Sequence, residues 1–398
     1  MARAVDVASA PGGFVLRPQD LEAQALARRL ATDVIAPVAR AADADRKFPR
    51  EAVLELAAAG LLGAPLPKEY GGLGWDSVQM AIAYEELGRV DQSVRGFLTV
   101  HASLVAQCLL AAASDPQKRE WLPRLADGTV FGAYALTERE AGSDAAAIAT
   151  RAEPIVGEAG AWTLRGEKVW ITNGLSAGLF IVFATVDPAL RHKGVTAFLV
   201  RGDAPGLVRE RMNGIELGHR ASEHAVLRFE GVRVTAADVV GDVGGGFAVA
   251  MSGLDHGRLG VAAGAVGLLQ ACLDLVTDFA RTRRQFGKRI GDFQMVQERI
   301  ADLACDTDAA RLLTWRAAWM AVHGEKRTRE VSIAKLFATE AACKWSAEAV
   351  MLHGSRGYVN ERPVERHFRD AQGLRIYEGA SPIQRIVIAR EILGREEK

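Results

Sequence analysis

Leu179-Phe-Ile-Val-Phe-Ala-Thr-Val186, followed by Val195-Thr-Ala-Phe-Leu-Val200, reads as two short buried strands. Turn signals at Asn173-Gly174 and Asp203-Ala-Pro-Gly206 separate such runs. Between about Phe131 and Asp242, Val, Thr, Phe and Trp are frequent, so a β-rich segment of one domain's size is expected there. On the N-terminal side, Leu21, Ala25, Leu26 and Leu30, then Val53, Leu54, Leu56, Ala57, Leu61 and Leu62, mostly suit helix stripes. Breaks fall at Gly60–Gly63, Pro65–Gly74 and Ser114-Asp115-Pro116. After Gly244-Gly245-Gly246 the chain turns helical again. Leu268, Cys272, Leu275 and Phe279 share one face, and Phe293, Val296, Ile300 and Leu303 another. Ser381-Pro382-Ile383-Gln384 reads as a capping box with proline at the first helical position. Ile383, Ile386, Val387 and Leu393 then form a stripe, and Gly394 can end the helix. The order is α, β, α, with divisions at 1–130, 131–242 and 243–398.

Composition narrows the function. The 398 residues are 49% hydrophobic and 25% charged, which is globular usage and too long for one ordinary core. The 49 basic and 49 acidic residues cancel, so no net field draws the chain to nucleic acid. Cys108, Cys272, Cys305 and Cys343 form no CxxC pair and read as reduced core residues of a cytosolic protein. Met1 to Gly13 lacks the apolar core of a secretory signal, and the longest apolar stretch, near Leu179–Val186, is too short for a bilayer. A cytoplasmic protein without a membrane span is expected.

Three stretches carry chemistry. Tyr134-Ala-Leu-Thr-Glu-Arg-Glu-Ala-Gly-Ser-Asp144 ends in Gly142-Ser143-Asp144 before an alanine run. A short helical turn starting at Ser143 or Asp144 leaves N–H groups suited to a phosphate or a polar ring edge; alternatively it is a capped surface helix. In Lys168-Val-Trp-Ile-Thr-Asn-Gly174, strand alternation points Trp170 and Thr172 the same way, an aromatic plane beside a hydroxyl, or else a core Trp beside an unrelated Thr. In Arg375-Ile-Tyr-Glu-Gly-Ala-Ser-Pro382, Gly379 permits a tight turn that projects Glu378 into a cavity. In an apolar pocket that carboxylate has a raised pKa and can take a proton from carbon; the alternative is an ordinary exposed glutamate.

Taken in order and in this frame, the three stretches resemble the acyl-CoA dehydrogenase family of flavoproteins over nearly the whole chain. Pro67-Lys-Glu-Tyr-Gly-Gly-Leu-Gly74 and Arg281-Thr-Arg-Arg-Gln-Phe-Gly287 add to the resemblance. It implies an α+β multidomain protein with an N-terminal α-helical domain, a middle β-barrel-like domain and a C-terminal four-helix-bundle domain. It also implies FAD. Tyr134, Leu136 and Thr137 would line the flavin pyrimidine edge, and Gly142 and Ser143 would sit near the pyrophosphate and the thioester. Trp170 and Thr172 would cover the ring. Arg283, Phe286 and Gln294 would reach the FAD of a neighbouring subunit. The glycine-rich loop corresponds to Met351-Leu-His-Gly354-Ser355-Arg-Gly357, where Met351, Ser355 and Arg356 depart from the usual residues. Ala380 replaces a frequent threonine and stands with Ser381 beside the cofactor.

Glu378 matches the family's base. Relatives that carry the base on an earlier helix place it before an arginine, where Leu254-Asp-His-Gly-Arg258 has Gly257. Asp255 and Arg258 would face the pantetheine arm, with Tyr377 and Gly379 at the acyl group. Arg95, in Asp91-Gln-Ser-Val-Arg95, resembles the arginine of members that take dicarboxyl thioesters, such as glutaryl-CoA dehydrogenases, and of members that oxidise small acyl groups on carrier proteins. A buried Arg95 would hold a distal carboxylate; the alternative is a surface pair with Asp91. The implied partners are an acyl-CoA or acyl-carrier-protein thioester and electron transfer flavoprotein, in a homotetramer.

Other classes have less to stand on. Gly174-Leu-Ser-Ala-Gly178 matches a hydrolase elbow at Ser176, but that motif needs a helix after it and a strand-like run follows. Gly241–Gly246 does not fit a dinucleotide fingerprint. His219 and His224 share neither a strand nor a helix face, so no metal is expected. A scaffold that keeps only the fold is argued against by Glu378, Trp170 and Thr172.

Overall fold

The computed structural model describes residues 16–394; the Met1 to Gly13 reading falls outside them. Helices α1 (Pro18–Leu30), α2 (Ala36–Asp45), α3 (Arg50–Ala58), α4 (Ser77–Gly88), α5 (Gln92–Leu98), α6 (Gln107–Ala112) and α7 (Asp115–Ala126) come first. Asp91 starts α5 by accepting from the Val94 N–H at 2.8 Å. A π-helical stretch, Thr99–Ala106, joins α5 to α6, and all eight of its residues are buried. On α1 the buried face is Ala23, Ala27 and Leu30 with Asp20, whereas Leu21 is exposed. Alanines let this helix pack closely, and Asp20 is tolerated inside because Arg17 donates to both its oxygens at 2.7–2.9 Å. Leu54 on α3 is likewise exposed.

The β region holds β1 (Gly132–Ala135), β2 (Arg151–Pro154), β3 (Ala161–Ile171), β4 (Leu179–Thr185), β5 (Val195–Arg201), β6 (Leu207–Arg211), β7 (Ala225–Thr235) and β8 (Val239–Val240). The sheet runs β6-β7-β3-β2-β4-β5-β8, and β1 pairs with β4 in parallel. It is barrel-like without closing. β4 is buried throughout. Its Phe180, Val182 and Ala184 face the inner core of the sheet, while Leu179, Ile181 and Phe183 meet Val105, Leu109 and Trp121 of the helices. A strand covered on both sides needs no polar alternation, which is why the run is apolar from end to end.

Helices α8 (Gly246–Thr282), α9 (Gln294–Val322), α10 (Thr328–His353), α11 (Val364–Leu374) and α12 (Ser381–Leu393) form the closing bundle. The hairpin β9 (Arg284–Gln285) and β10 (Lys288–Arg289) projects between α8 and α9. Gly264 of α8 lies where α4 and α5 cross; a Cβ there would sit 2.8 Å from Arg95 Cδ. The segments Gln92–Ala112 and Gly246–Thr282 are longer apolar stretches than Leu179–Val186, and by length and composition each is apolar enough to cross a membrane. Their apolar windows are 78% buried, the mark of core helices.

Four other expectations are corrected. α12 carries no capping box: Ala380 holds the cap position, and the Ser381 hydroxyl donates instead to Glu340 at 2.5 Å. Only Ser381 and Gln384 of α12 are buried, so Ile386 and Leu393 of its stripe face outward. Cys305 is exposed, whereas the other three thiols are buried. Trp170 has φ +58° at a register break between Lys168 and Ile171, so it does not alternate with Thr172 along a regular strand.

Candidate active site

Glu378 sits in the loop between α11 and α12 with φ +53°, and Gly379 follows at φ +87°. Two left-handed residues in succession make the sharp turn, and the non-glycine one costs about 1–3 kcal/mol. The surroundings hold it there. Gln384 Nε2 donates to the Glu378 and Gly379 carbonyls at 3.2 and 2.7 Å, and Lys335 Nζ donates to the Gly379 carbonyl at 2.9 Å. Glu340 grips both flanks, through Ser381 and through an ion pair with Arg375 at 3.2 Å.

The turn sends the carboxylate inward. Oε2 is buried and has no hydrogen-bond partner among the described residues. Burial raises the pKa from 4.5 to about 7, while Arg95, Lys335 and Arg258 pull against that rise. A carboxylate in this state is half ionised near neutral pH and has no internal partner for its basic lone pair. Such a group has the chemistry a general base needs. Gly257 makes the room: a Cβ there would stand 2.8 Å from Glu378 Cδ, and closer still to Oε2. The gap that Gly257 leaves in α8 is the space into which Glu378 fits.

Arg95 is fully buried, which rules out the surface pair with Asp91. Its guanidinium donates to Gln92 Oε1 at 2.9–3.0 Å, to Thr99 Oγ1 at 3.3 Å and to the Tyr377 hydroxyl at 2.6 Å. Tyr84, also buried, shares a 2.7 Å hydrogen bond with Ser103. Both Tyr84 and Tyr377 sense the Glu378 charge. Polar groups therefore stand around the carboxylate alongside the apolar side chain of Leu104.

A cavity of about 700 Å³ is lined by Phe247, Met251, Asp255, Arg258, Lys326 and Arg390 among others. Arg258 belongs both to its wall and to Glu378, whose carbonyl it approaches at 3.4 Å. Asp255 pairs with Arg258 at 2.9 Å and accepts from Thr328 at 2.8 Å. A second cavity, of about 510 Å³ and rich in arginine, shares none of these residues, and its Arg369 is spent on Asp43 and Glu365.

Tyr134 and Leu136 are buried at the end of β1, and the loop then emerges through Thr137 to exposed Gly142 and Ser143. The helical turn there is only Ala145–Ala147, and Asp144 does not cap it. Two buried charges shape the loop. Lys168 Nζ donates to the Leu136 carbonyl at 2.9 Å and to Glu138 at 2.7 Å; Glu138 in turn accepts from the N–H groups of Ala149 and Thr150 at 2.6 and 3.0 Å. Burial works against Glu138 ionising, but Lys168 and these donors outweigh it and hold the carboxyl below its usual range. Lys168→Met should leave that carboxylate unpaired at a cost of about 3–5 kcal/mol. A lowered melting temperature and easier loss of flavin on dilution are the expected readings.

Trp170 is half exposed, with Thr172 partly buried two residues on. Phe286 at the β9–β10 tip is 93% exposed and Met351 75%. Gln294 and Ser355 are exposed, Arg283 partly so, and Gly354 turns the chain at φ +59°. One chain thus presents two separate sets: Trp170, Thr172 and the 134–144 loop in the β region, and the hairpin and glycine loop at the far ends of the bundle helices. The Trp170 indole stands next to the 134–144 loop, where the Val169 N–H donates to the Thr137 carbonyl at 2.9 Å. The Gly142 and Ser143 N–H groups of that loop have no partner among the described residues. An aromatic face near free N–H groups suits a flavin ring with its polar edge, so the residues fit FAD. Ser176 lies in a turn before β4 rather than before a helix, so the hydrolase elbow is absent.

Family comparison agrees with this geometry. Residues 18–129, 133–232 and 244–393 match the acyl-CoA dehydrogenase N-terminal, middle and C-terminal domain models. The chain belongs to the acyl-CoA dehydrogenase family. It is an FAD-dependent oxidoreductase acting on the CH–CH bond of acyl thioesters. Human short-chain specific acyl-CoA dehydrogenase is 40% identical over 366 residues, which cover 92% of this chain and 88% of the relative. Butyryl-CoA dehydrogenase from Megasphaera elsdenii superposes with a TM-score of 0.93 at 34% identity, covering 96% of this chain and all of that one. Glutaryl-coenzyme A dehydrogenase bound to glutaryl-CoA gives 0.91 at 35%, covering 97% and 98%.

Sequence reasoning missed Lys168, Glu138, Lys335, Glu340 and Gln384. Lys335 left one trace, a lone cation inside the apolar run Val331-Ser-Ile-Ala-Lys-Leu-Phe337.

Proposed function

We propose that Glu378 is the base of this dehydrogenase, that its substrate is a short acyl thioester, and that the distal end of the acyl group meets Arg95. The observation that carries the base assignment is the buried, unpartnered Oε2 in a left-handed turn held from three helices. A thioester α-hydrogen is too weakly acidic for a free carboxylate at neutral pH. Desolvation raises the basicity of Glu378, and no hydrogen bond among the described residues uses its backbone N–H, which is free to stabilise charge on the thioester oxygen. Bound FAD supplies the acceptor for the β-hydrogen. Trp170, Thr172 and the 134–144 loop hold it; Asp255 and Arg258 line the path of the pantetheine arm.

A second reading concerns the acyl group. Arg95 is a buried cation whose hydrogen-bond partners are all neutral. This favours a thioester with a distal carboxylate, on CoA or on a carrier protein. Arg95→Ala should slow a glutaryl thioester about a hundredfold more than a butyryl one, measured as kcat/KM. An equal loss on both would leave Arg95 as a counter-charge for Glu378 alone. Assays run with each acyl group on CoA and on a carrier protein also identify the carrier.

The exposed side chains of Phe286, Met295 and Met351 support a homotetramer in which hairpin and glycine loop reach a neighbour's FAD. Family membership supports electron transfer flavoprotein as acceptor. Four free thiols support a reducing compartment such as the cytoplasm.

A further inference from the structure

We propose that Lys335 is a positioning residue for the base: it tethers the Glu378–Gly379 turn and sets a cation against the Glu378 carboxyl. The inference rests on the assignment of Glu378 as that base. Lys335 lies inside α10 and is fully buried. A buried ammonium is costly and needs a reason. Its hydrogen bond goes to the Gly379 carbonyl at 2.9 Å, the second left-handed residue of the turn. One bond therefore fixes the peptide that aims the carboxylate.

The electrostatics agree with the geometry. Burial lowers the Lys335 amine to about 8, with Glu378 and Glu340 raising it and Arg258 lowering it. The amine is thus mostly protonated at neutral pH. The charged and titratable groups facing Glu378 are Arg95 on α5, Lys335 on α10 and Arg258 on α8, with Tyr84 on α4, Tyr134 on β1 and Tyr377 beside it. Arg95 and Arg258 hold other side chains as well. Lys335 alone of the three cations bonds the turn at Gly379.

The signs follow. Removing the Lys335 charge raises the Glu378 pKa, so less carboxylate is present near neutrality and the acid limb of flavin reduction moves to higher pH. Above about 8 the wild-type amine is itself losing its proton, and above about 9 Glu378 is ionised in either protein. The difference in ionisation is therefore confined to lower pH, and only looser aim of the turn persists above it.

The test compares holoenzymes carrying Lys335→Met, Lys335→Arg and Glu378→Gln, with Lys335→Gln as the second uncharged variant should Met fail to fold. Anaerobic flavin reduction is followed against pH. The carbonyl stretch of protonated Glu378 is titrated by infrared difference spectroscopy without substrate. For Lys335→Met, both limbs should move up by about one unit, and reduction at neutral pH should fall about fivefold, approaching tenfold below about pH 6. Lys335→Arg should return the limb toward its wild-type position. A folded, flavin-loaded uncharged variant with both limbs unmoved overturns the role of Lys335. Normal reduction by Glu378→Gln overturns the base assignment instead, whatever Lys335 does.

Discussion

Glu378→Gln should fold, keep its flavin and lose thioester-dependent flavin reduction by about 10²–10⁴-fold, the span general bases contribute. The amide fits the same buried space and keeps the turn, since the hydrogen bonds from Lys335, Gln384 and Glu340 fall on the backbone and flanks of the loop. It has no lone pair basic enough to accept a carbon-bound proton. The same substitution should stabilise the protein at alkaline pH. The folded pKa, about 7, lies above the ordinary 4.5. Burial therefore disfavours the carboxylate, and the penalty grows as pH rises from the lower value through the upper one. Complete ionisation costs up to about 3 kcal/mol. Melting temperatures should coincide near pH 4 and diverge, in favour of Gln, by about pH 8. An active site that spends stability on an unpaired carboxylate predicts this pairing of lost turnover with gained stability.

Gly257→Ala should be the second most damaging change. On helix propensity alone it would stabilise α8 by about 1 kcal/mol. The methyl instead arrives 2.8 Å from both Glu378 Cδ and Leu104 Cδ2. The carboxylate must swing away or the turn must open, and a displacement of about 1 Å at a reacting group costs about 10²-fold. Flavin content should be unchanged, because Gly257 lies against Glu378 and not in the 134–144 loop or beside Trp170. Rates of flavin reduction together with the ratio of bound flavin to protein check both halves. A drop in flavin content with a normal rate per bound flavin would place Gly257 elsewhere in the mechanism.

The α–β–α order was legible because local rhythm carries it: continuous apolar runs at β4 and β5, and helical stripes around them. Facing was less legible. Leu21 and Leu54 suit helix stripes by spacing, yet small alanines face the core where helices cross closely, and spacing does not distinguish which of two stripes a neighbour covers. The α12 stripe failed for the same reason, since Gln384 is buried there for its bonds to the Glu378 loop while Ile386 and Leu393 face outward. The site was legible where a motif is local, as in Tyr377-Glu-Gly379. It was hidden where partners are distant. Lys335 reaches a residue 44 positions on, and Arg95 meets Tyr377 across 282 positions. The strand argument for Trp170 failed because a left-handed residue at the bulge breaks the period-two rule. The exposure that leaves the indole free for a ring was not written in the alternation.

The most direct measurement mixes the holoenzyme anaerobically with its fastest thioester from a butyryl, isobutyryl and glutaryl panel, with hydrogen or deuterium at the α-carbon, and follows flavin absorbance across pH. The account predicts that reduction slows with α-deuterium and falls away as pH drops through about 7, following the Glu378 carboxyl. Reduction indifferent to α-deuterium and flat through that range would contradict it.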